Sequence, residues 1–289
     1  MIQVDKKILK DIFEERKKGV YRRKYDFGLL LVIGGSEFYS GSPALSAMAA
    51  FNSGVDMVNI IAPKRAADII ASFSPDMAAY PLEGKWLEKK HLATLISMTE
   101  SAKTVSRGNT AVVIGGGTGR SKETQEVILE YLKRISIPAV IDADAIHALG
   151  KKPEIVSGRN FLITPHSYEF FVLTKREIYK LPYEEKIKAV KQEAERLQTT
   201  ILLKEKPDII SNGKEVALNK SGSPYMSVGG TGDTLAGICG ALLARGIDSF
   251  VAAQAAAFIN GKAGEMAAQK MKEGLLATEV IKAIPEVLH

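Results

Sequence analysis

An aspartate set among glycines at the start of a helix is equipped for phosphoryl transfer, and one run fits that description: Gly229-Gly230-Thr231-Gly232-Asp233-Thr234-Leu235-Ala236-Gly237. The glycines leave backbone N–H groups uncovered at the positive end of the helix, where they can receive a phosphoryl group. Asp233, in the same turn, can take the proton from an attacking hydroxyl. Gly230 and Gly232 would then supply the anion hole and Asp233 the general base. A helix cap alone would also explain an aspartate there, but the glycines would then weaken the helix without compensation.

Other residues could complete such a site. Gly34-Gly35-Ser36, followed by Gly41-Ser42-Pro43-Ala44, comes after the apolar run Leu29–Ile33; Gly115-Gly116-Gly117-Thr118-Gly119 comes after Ala111–Ile114. Neither has the G-x-G-x-x-G spacing of a dinucleotide fold, and no G-x-x-x-x-G-K-[ST] occurs, so each alone is equally a tight turn. Lys204-Glu205-Lys206 closes a strand-like run and offers charge to phosphates, or marks a sheet edge. Asp142-Ala143-Asp144 closes another, where ligand sites of open parallel sheets gather, although helix capping explains either carboxylate as well. His166 and Glu169, three apart at a helix start, can share one face. With four histidines in the chain, a histidine-rich metal site is not expected, but Glu169 could hold a water of Mg²⁺. Cys239 reads as a small core residue, and Trp86 sits in no motif.

The elements that must position these residues follow from periodicity. Apolar runs of strand length at Leu29–Ile33, Met57–Ile61, Ala111–Ile114, Ala139–Ile141, Phe161–Ile163 and Ile201–Leu203 alternate with helical stretches. Runs apolar on both faces suit a mainly parallel sheet between helix layers, an α/β architecture. Asp208–Ser211 and Glu215–Asn219 flank Asn212-Gly213 and predict an antiparallel hairpin at the sheet edge. Ala-rich helices are expected at Thr231–Arg245, Ser249–Gln269 with Ser249 as cap, and Ala277–Ala283.

The chain has 289 residues, 46% hydrophobic and 25% charged, with one cysteine. That composition fits a globular protein without disulfides, and a cytoplasmic location is expected. No stretch approaches the roughly 18 apolar residues of a membrane span. The net charge of +6 arises between residues 6 and 24, which hold nine basic and three acidic side chains. A mixed-charge helical face of this kind reads as solvated rather than as a nucleic-acid arm. Residues 1–26 are accordingly set apart as a basic N-terminal segment, with one domain over 27–289.

From about Phe27 onward the sequence resembles the ribokinase-like superfamily, and within it the ADP- or ATP-dependent NAD(P)H-hydrate dehydratases. Gly230-Thr231-Gly232-Asp233 matches the superfamily's phosphoryl-transfer motif. The narrower likeness rests on Leu31-Val32-Ile33-Gly34-Gly35-Ser36 with Tyr39, Gly41 and Ala44, on Asp142-Ala143-Asp144-Ala145, on Thr164-Pro165-His166 with Glu169, and on Thr278 through Ile284-Pro285. The resemblance implies that Tyr39, Ala44, Gly119, Asp142, His166 and Asp233 meet the hydrated nicotinamide nucleotide. It implies that Lys204, Glu205, Lys206, Pro207, Asp208 and Gly232 meet ADP or ATP, with Mg²⁺ near Glu169. Two departures stand out: Glu205 where the family usually has Gly, and Gly116 where it often has Pro. Relatives often form homotetramers, and many carry an epimerase domain, for which the residues ahead of Phe27 leave no room; a separate epimerase would serve the same pathway. The competing enzyme reading is a small-molecule alcohol kinase of the same superfamily, for example a thiazole or vitamin-precursor kinase. A third, from another class, is nucleotide or nucleic-acid binding through the basic arm.

Overall fold

A computed structural model describes residues 1–17 and 23–288. Its strands are β1 (Ile2–Gln3), β2 (Leu29–Ile33), β3 (Met57–Pro63), β4 (Ala78–Leu82), β5 (Thr110–Ile114), β6 (Ala139–Ile141), β7 (Phe161–Ile163), β8 (Thr200–Leu203), β9 (Asp208–Ser211) and β10 (Val216–Asn219). The helices are α1 (Lys7–Lys17), α2 (Gly41–Asn52), α3 (Lys64–Ala71), α4 (Leu92–Val105), α5 (Lys122–Arg134), α6 (Asp144–Leu149), α7 (Ser167–Thr174), α8 (Tyr183–Leu197), α9 (Thr231–Ala244), α10 (Ser249–Met271) and α11 (Ala277–Val287).

The strands form one sheet in the order β1-β10-β9-β8-β7-β6-β5-β2-β3-β4. From β4 to β8 all pairings are parallel; β9 is antiparallel to both β8 and β10. Side chains alternate across the sheet, so β2 divides cleanly: Leu30 and Val32 enter a core with α2, α9, α10 and α11, while Leu29, Leu31 and Ile33 enter one with α4 to α8. Each such buried side chain stabilises the fold by about 1.5–3 kcal/mol. All six apolar runs expected as strands are strands.

Three features depart from expectation. β10 is not the edge, because β1 pairs with it in parallel, Ile2 opposite Ala217. The hairpin loop spans residues 212–215, since Ser211 pairs with Val216 and the Asn212 side chain accepts from the N–H groups of Lys214 (3.0 Å) and Glu215 (2.8 Å). Asp248, not Ser249, caps α10, accepting from the Phe250 N–H at 2.9 Å. In the N-terminal segment, α1 buries Leu9 and Ile12, and Arg245 lies over the Phe13 ring while donating to the Ile12 carbonyl at 2.8 Å. Residues 18–22 of the basic stretch lie outside the described residues.

Connectivity places the site. The chain leaves β2 for β3 and β4 on one side, then returns to β5 on the other. Loops at the carboxyl ends of β2 and β5 therefore part around a crevice, the usual ligand position in such sheets. Above it, α9 packs tightly on the sheet and on α2, an approach that Gly237 and Gly240 permit: a Cβ on either would enter Ser46 or Val113.

Candidate active site

The first turn of α9 is the centre of the crevice. Its cap, Gly230, accepts from the Thr234 N–H at 3.0 Å, which leaves the N–H groups of Thr231, Gly232 and Asp233 without partners in the helix. Thr231 fixes the turn by donating its hydroxyl to the carbonyls of Met226 (2.8 Å) and Val228 (3.1 Å). Asp233 is held from α2: Ser42 donates to its Oδ1, and Ser46 to its backbone carbonyl at 3.0 Å. Burial, reinforced by the carboxylates of Asp142 and Glu169, lifts the Asp233 carboxyl to about 6 despite the Ser42 hydrogen bond and the charge of Lys204.

A charged cluster faces this turn. Lys204, following β8, reaches Asp142 Oδ1 at 3.0 Å and Glu169 Oε2 at 3.5 Å. Burial works against the ammonium, but those two carboxylates outweigh it and hold its pKa above the ordinary lysine value. Thr164 donates to the same Asp142 oxygen at 2.8 Å. His166 and Glu169 bind each other as a capping box on α7: the His166 N–H donates to Glu169 Oε2 at 2.9 Å, and His166 Nδ1 accepts from the N–H groups of Tyr168 (3.2 Å) and Glu169 (3.3 Å). Nδ1 being an acceptor, the ring proton of neutral His166 sits on Nε2.

To one side of the turn opens a cavity of about 480 Å³. Lys204, Glu205, Lys206 and Asp208 form one wall, Ser221 to Ser227 another, and Thr231, Gly232 and Asn260 the floor. Glu205 is tied down, accepting from Ser167 Oγ at 2.5 Å and Lys186 Nζ at 3.0 Å. Asp208 accepts from Asn219 Nδ2 at 2.9 Å and the Glu205 N–H at 3.2 Å, yet burial still raises its carboxyl to about 6. Pro207 follows Lys206 through a cis peptide bond. The enclosure and its lysines suit a nucleotide's phosphates.

The other side is made of loops. The Gly35 N–H donates to the Gly116 carbonyl at 2.9 Å, joining the loops after β2 and β5. Gly116 lies so close to α2 and α9 that a Cβ there would collide with Ser42 and stand 3.1 Å from Asp233 Oδ1. Tyr39 packs beside Gly117 and Trp86 beside Gly119. Asp144 takes the Gly119 N–H at 2.9 Å and Arg120 Nε at 2.7 Å. Between Asp142 and Asp144, Ala143 adopts φ 49°, ψ −122°, a strained conformation for a residue with a side chain.

Asp233, Gly230, Gly232, Lys204, Asp142, His166 and Glu169 thus converge on one turn, while Lys206 and Asp208 line the adjoining cavity. Tyr39 and Gly119 stand across the glycine loop. Ala44 is buried in the first turn of α2 and shapes the site rather than presenting a side chain. Sequence reasoning passed over Ser42, Ser46, Lys186, Asn219 and Trp86. Ser42 and Ser46 did leave a signal, two hydroxyls four residues apart on one helix face.

Among the described residues, no group of three or more His, Cys, Asp or Glu side chains gathers in a form that could hold a metal, and no helix is long and apolar enough to cross a membrane. A divalent cation would fit here as an ion carried on nucleotide phosphates, with Glu169 offering at most one oxygen through water.

The family profile described as NAD(P)H-hydrate dehydratase matches residues 30–286. The bifunctional NAD(P)H-hydrate repair enzyme Nnr of Pyrobaculum aerophilum is 41% identical over 269 residues, 92% of this chain and 52% of that protein. The ADP-dependent (S)-NAD(P)H-hydrate dehydratase of Cenarchaeum symbiosum is 35% identical over 272 residues, covering 92% of this chain and 90% of that one. This chain therefore spans about half the length of the bifunctional relatives it matches and most of the shorter one. In fold it is similar to the ADP/ATP-dependent NAD(P)H-hydrate dehydratase of Bacillus subtilis co-crystallised with ATP and Mg²⁺, with a TM-score of 0.79 at 22% identity over 98% of this chain and 96% of that one. The ribokinase-like architecture expected from the sequence is the one found.

Proposed function

The chain belongs to the NAD(P)H-hydrate dehydratase family, and from that premise we propose that it restores NAD(P)H from the hydrated nicotinamide nucleotide, using ADP or ATP as phosphoryl donor. The observation that carries this reading is the placement of Asp233 at the seam between the lysine-walled cavity and the glycine loop, one carboxylate within reach of a donor and an acceptor.

In the hydrate, the ring hydroxyl is a poor leaving group. Asp233 takes its proton as the oxygen attacks the donor's terminal phosphorus, and the bond from that phosphorus to the rest of the nucleotide breaks. The free N–H groups of α9 and the Lys204 ammonium hold the charge that develops on the transferring group. The ring nitrogen then expels phosphate, and loss of a proton from the neighbouring carbon restores the dihydronicotinamide. Lys204 to Asp208 and Gly232 hold the adenine nucleotide; Tyr39, Ala44, Gly119, Asp142 and His166 shape the acceptor pocket. Mg²⁺, held by the phosphates with Glu169 and Asp142 nearby, would neutralise phosphate charge. The protein would work in the cytoplasm, as a homotetramer, on hydrate that a separate epimerase brings to the correct configuration.

The test follows the return of dihydronicotinamide absorbance from prepared NADH hydrate with Mg²⁺ and either ADP or ATP, beside a control without nucleotide. Nucleotide-dependent recovery with release of inorganic phosphate is expected and identifies the donor. Accumulation of a phosphorylated compound without recovery would return the site to the alcohol-kinase reading, which employs the same Asp233.

A further inference from the structure

Two aromatic side chains beside the acceptor pocket have no task in the fold. Phe38 is 77% exposed, and its ring meets the indole of Trp86 edge-on, with centroids 5.7 Å apart and planes at 60°. Trp86 in turn lies against Gly119, its Cζ3 only 3.0 Å from where a Cβ would stand. Trp86 is half-buried, and the loop carrying it is anchored on both sides. The Lys85 carbonyl accepts from the Glu37 N–H at 2.8 Å, and the Leu87 carbonyl from Thr124 Oγ1 at 3.1 Å. The loop's far end is closed by buried His91, which accepts the Glu88 N–H at Nδ1 (3.0 Å) and meets the Glu83 carbonyl with Nε2 (2.9 Å). An anchored loop thus presents a half-buried indole with an exposed phenyl ring against it.

The distance to the reacting centre is informative. A Cβ on Gly116 would stand 3.1 Å from Asp233 Oδ1 and one on Gly119 3.0 Å from the Trp86 ring, and three Cα steps of about 3.8 Å separate those glycines by no more than about 11 Å. A dinucleotide bound with its reacting ring at Asp233 would carry its second base over a comparable or greater span. Between the two, Arg120 has Nε fixed by Asp144 and stands 55% exposed, a cation next to Gly119 where a diphosphate would pass. The hydrated nicotinamide ring is puckered by its tetrahedral carbons and stacks poorly, whereas adenine presents two flat aromatic faces.

We propose that Phe38 and Trp86 form an aromatic clamp for the adenine base of the dinucleotide substrate, which stacks on the outer face of their edge-to-face pair rather than between the rings, with Arg120 meeting its diphosphate. The clamp is separate from the lysine-walled cavity that takes the phosphoryl donor, so the protein binds two adenine moieties in two chemically different ways. It makes the enzyme selective for dinucleotide over mononucleotide hydrates.

The proposal rests on the dehydratase reading, and the experiment separates the two. KM and kcat are measured for NADH hydrate and for the hydrate of reduced nicotinamide mononucleotide, which lacks the adenosine. Phe38→Ala and Trp86→Ala should each raise KM for NADH hydrate about tenfold, equivalent to about 1.4 kcal/mol and within the range of base stacking, with kcat within twofold. KM for the mononucleotide hydrate should move less than twofold, and Trp86→Phe should recover most of the loss. Equal losses for both hydrates, or none, would overturn the clamp; so would a change in sedimentation of the variants, which would make the patch a contact between copies. Trp86 is the only tryptophan in the chain, so its fluorescence reports binding without turnover. Quenching by NADH hydrate that is weakened in Phe38→Ala, with no recovery of absorbance, would keep the clamp and reject the dehydratase; turnover without quenching would do the reverse.

Discussion

The two flanks of α9 are built on opposite plans. On the donor flank, Lys204, Glu205 and Asp208 are fixed by side-chain hydrogen bonds and ion pairs to Asp142, Lys186, Ser167 and Asn219, and Lys206 donates to the carbonyls of Lys220 and Gly222. On the acceptor flank the work is done by backbone and by shape: Gly116 and Gly117 let two loops close on each other, and aromatic rings stand at the rim. On the function proposed, charge would hold the phosphoryl donor and shape would select the alcohol.

The sharpest test of this division lies at the seam. Asp233→Asn keeps the size and the contact with Ser42 but removes the base; turnover should fall by about 10³-fold while nucleotide binding, read by calorimetry, changes little. The pH profile of the intact protein gives the same answer by titration. Because burial raises the Asp233 carboxyl to about 6, the base is present above that pH and lost below it. kcat/KM should therefore climb tenfold per pH unit below 6 and level above it; a flat profile from pH 5 to 7 would reject Asp233 as the base.

Gly116→Ala is the corresponding break in the acceptor flank. The added methyl meets Ser42 and crowds Asp233, so the hydroxyl that steadies the base must move. A loss of about 10²-fold in kcat is expected, with the nucleotide KM unchanged within twofold, the pattern of a misplaced reacting group. A raised nucleotide KM would show that the flanks are not independent.

The smallest effect is expected at the Lys186–Glu205 pair, with nitrogen and oxygen 3.0 Å apart on the cavity wall. Lys186→Met leaves a carboxylate facing the donor's phosphates and should raise the nucleotide KM severalfold. Glu205→Gly frees the ammonium and should lower it by a similar factor. Equal shifts in one direction would mean that the pair is only a strut between α8 and the loop after β8.

Strands β2, β3 and β5 to β8 were legible because each is largely buried on both faces and so reads as an apolar run, interrupted within the expected spans only by Asn59 of β3. β4, Ala78-Ala79-Tyr80-Pro81-Leu82, was not: it is an edge strand, three of its five residues are exposed, and a proline sits where an unpaired edge tolerates one. β1 is two exposed residues whose place is fixed only by β10. In the site, Asp233 could be found because its chemistry depends on local backbone, the glycines beside it. Ser42, 191 residues away, reaches it only through the packing of α2 on α9. Trp86 carried no motif since what distinguishes it is where its loop is pinned.

Ala143 joins the two flanks. On one side of it Asp142 turns to Lys204, and on the other Asp144 turns to Gly119 and Arg120, so two carboxylates two residues apart point in different directions. Ordinary backbone at that residue could not aim both, and the conformation it adopts costs roughly 1–3 kcal/mol. A three-residue corner therefore serves as common scaffolding for both flanks, and a change in the Ala143 backbone would turn both carboxylates at once. A substitution in the loop after β2 or around Trp86 leaves that corner in place, since neither loop bonds to Asp142 or Asp144.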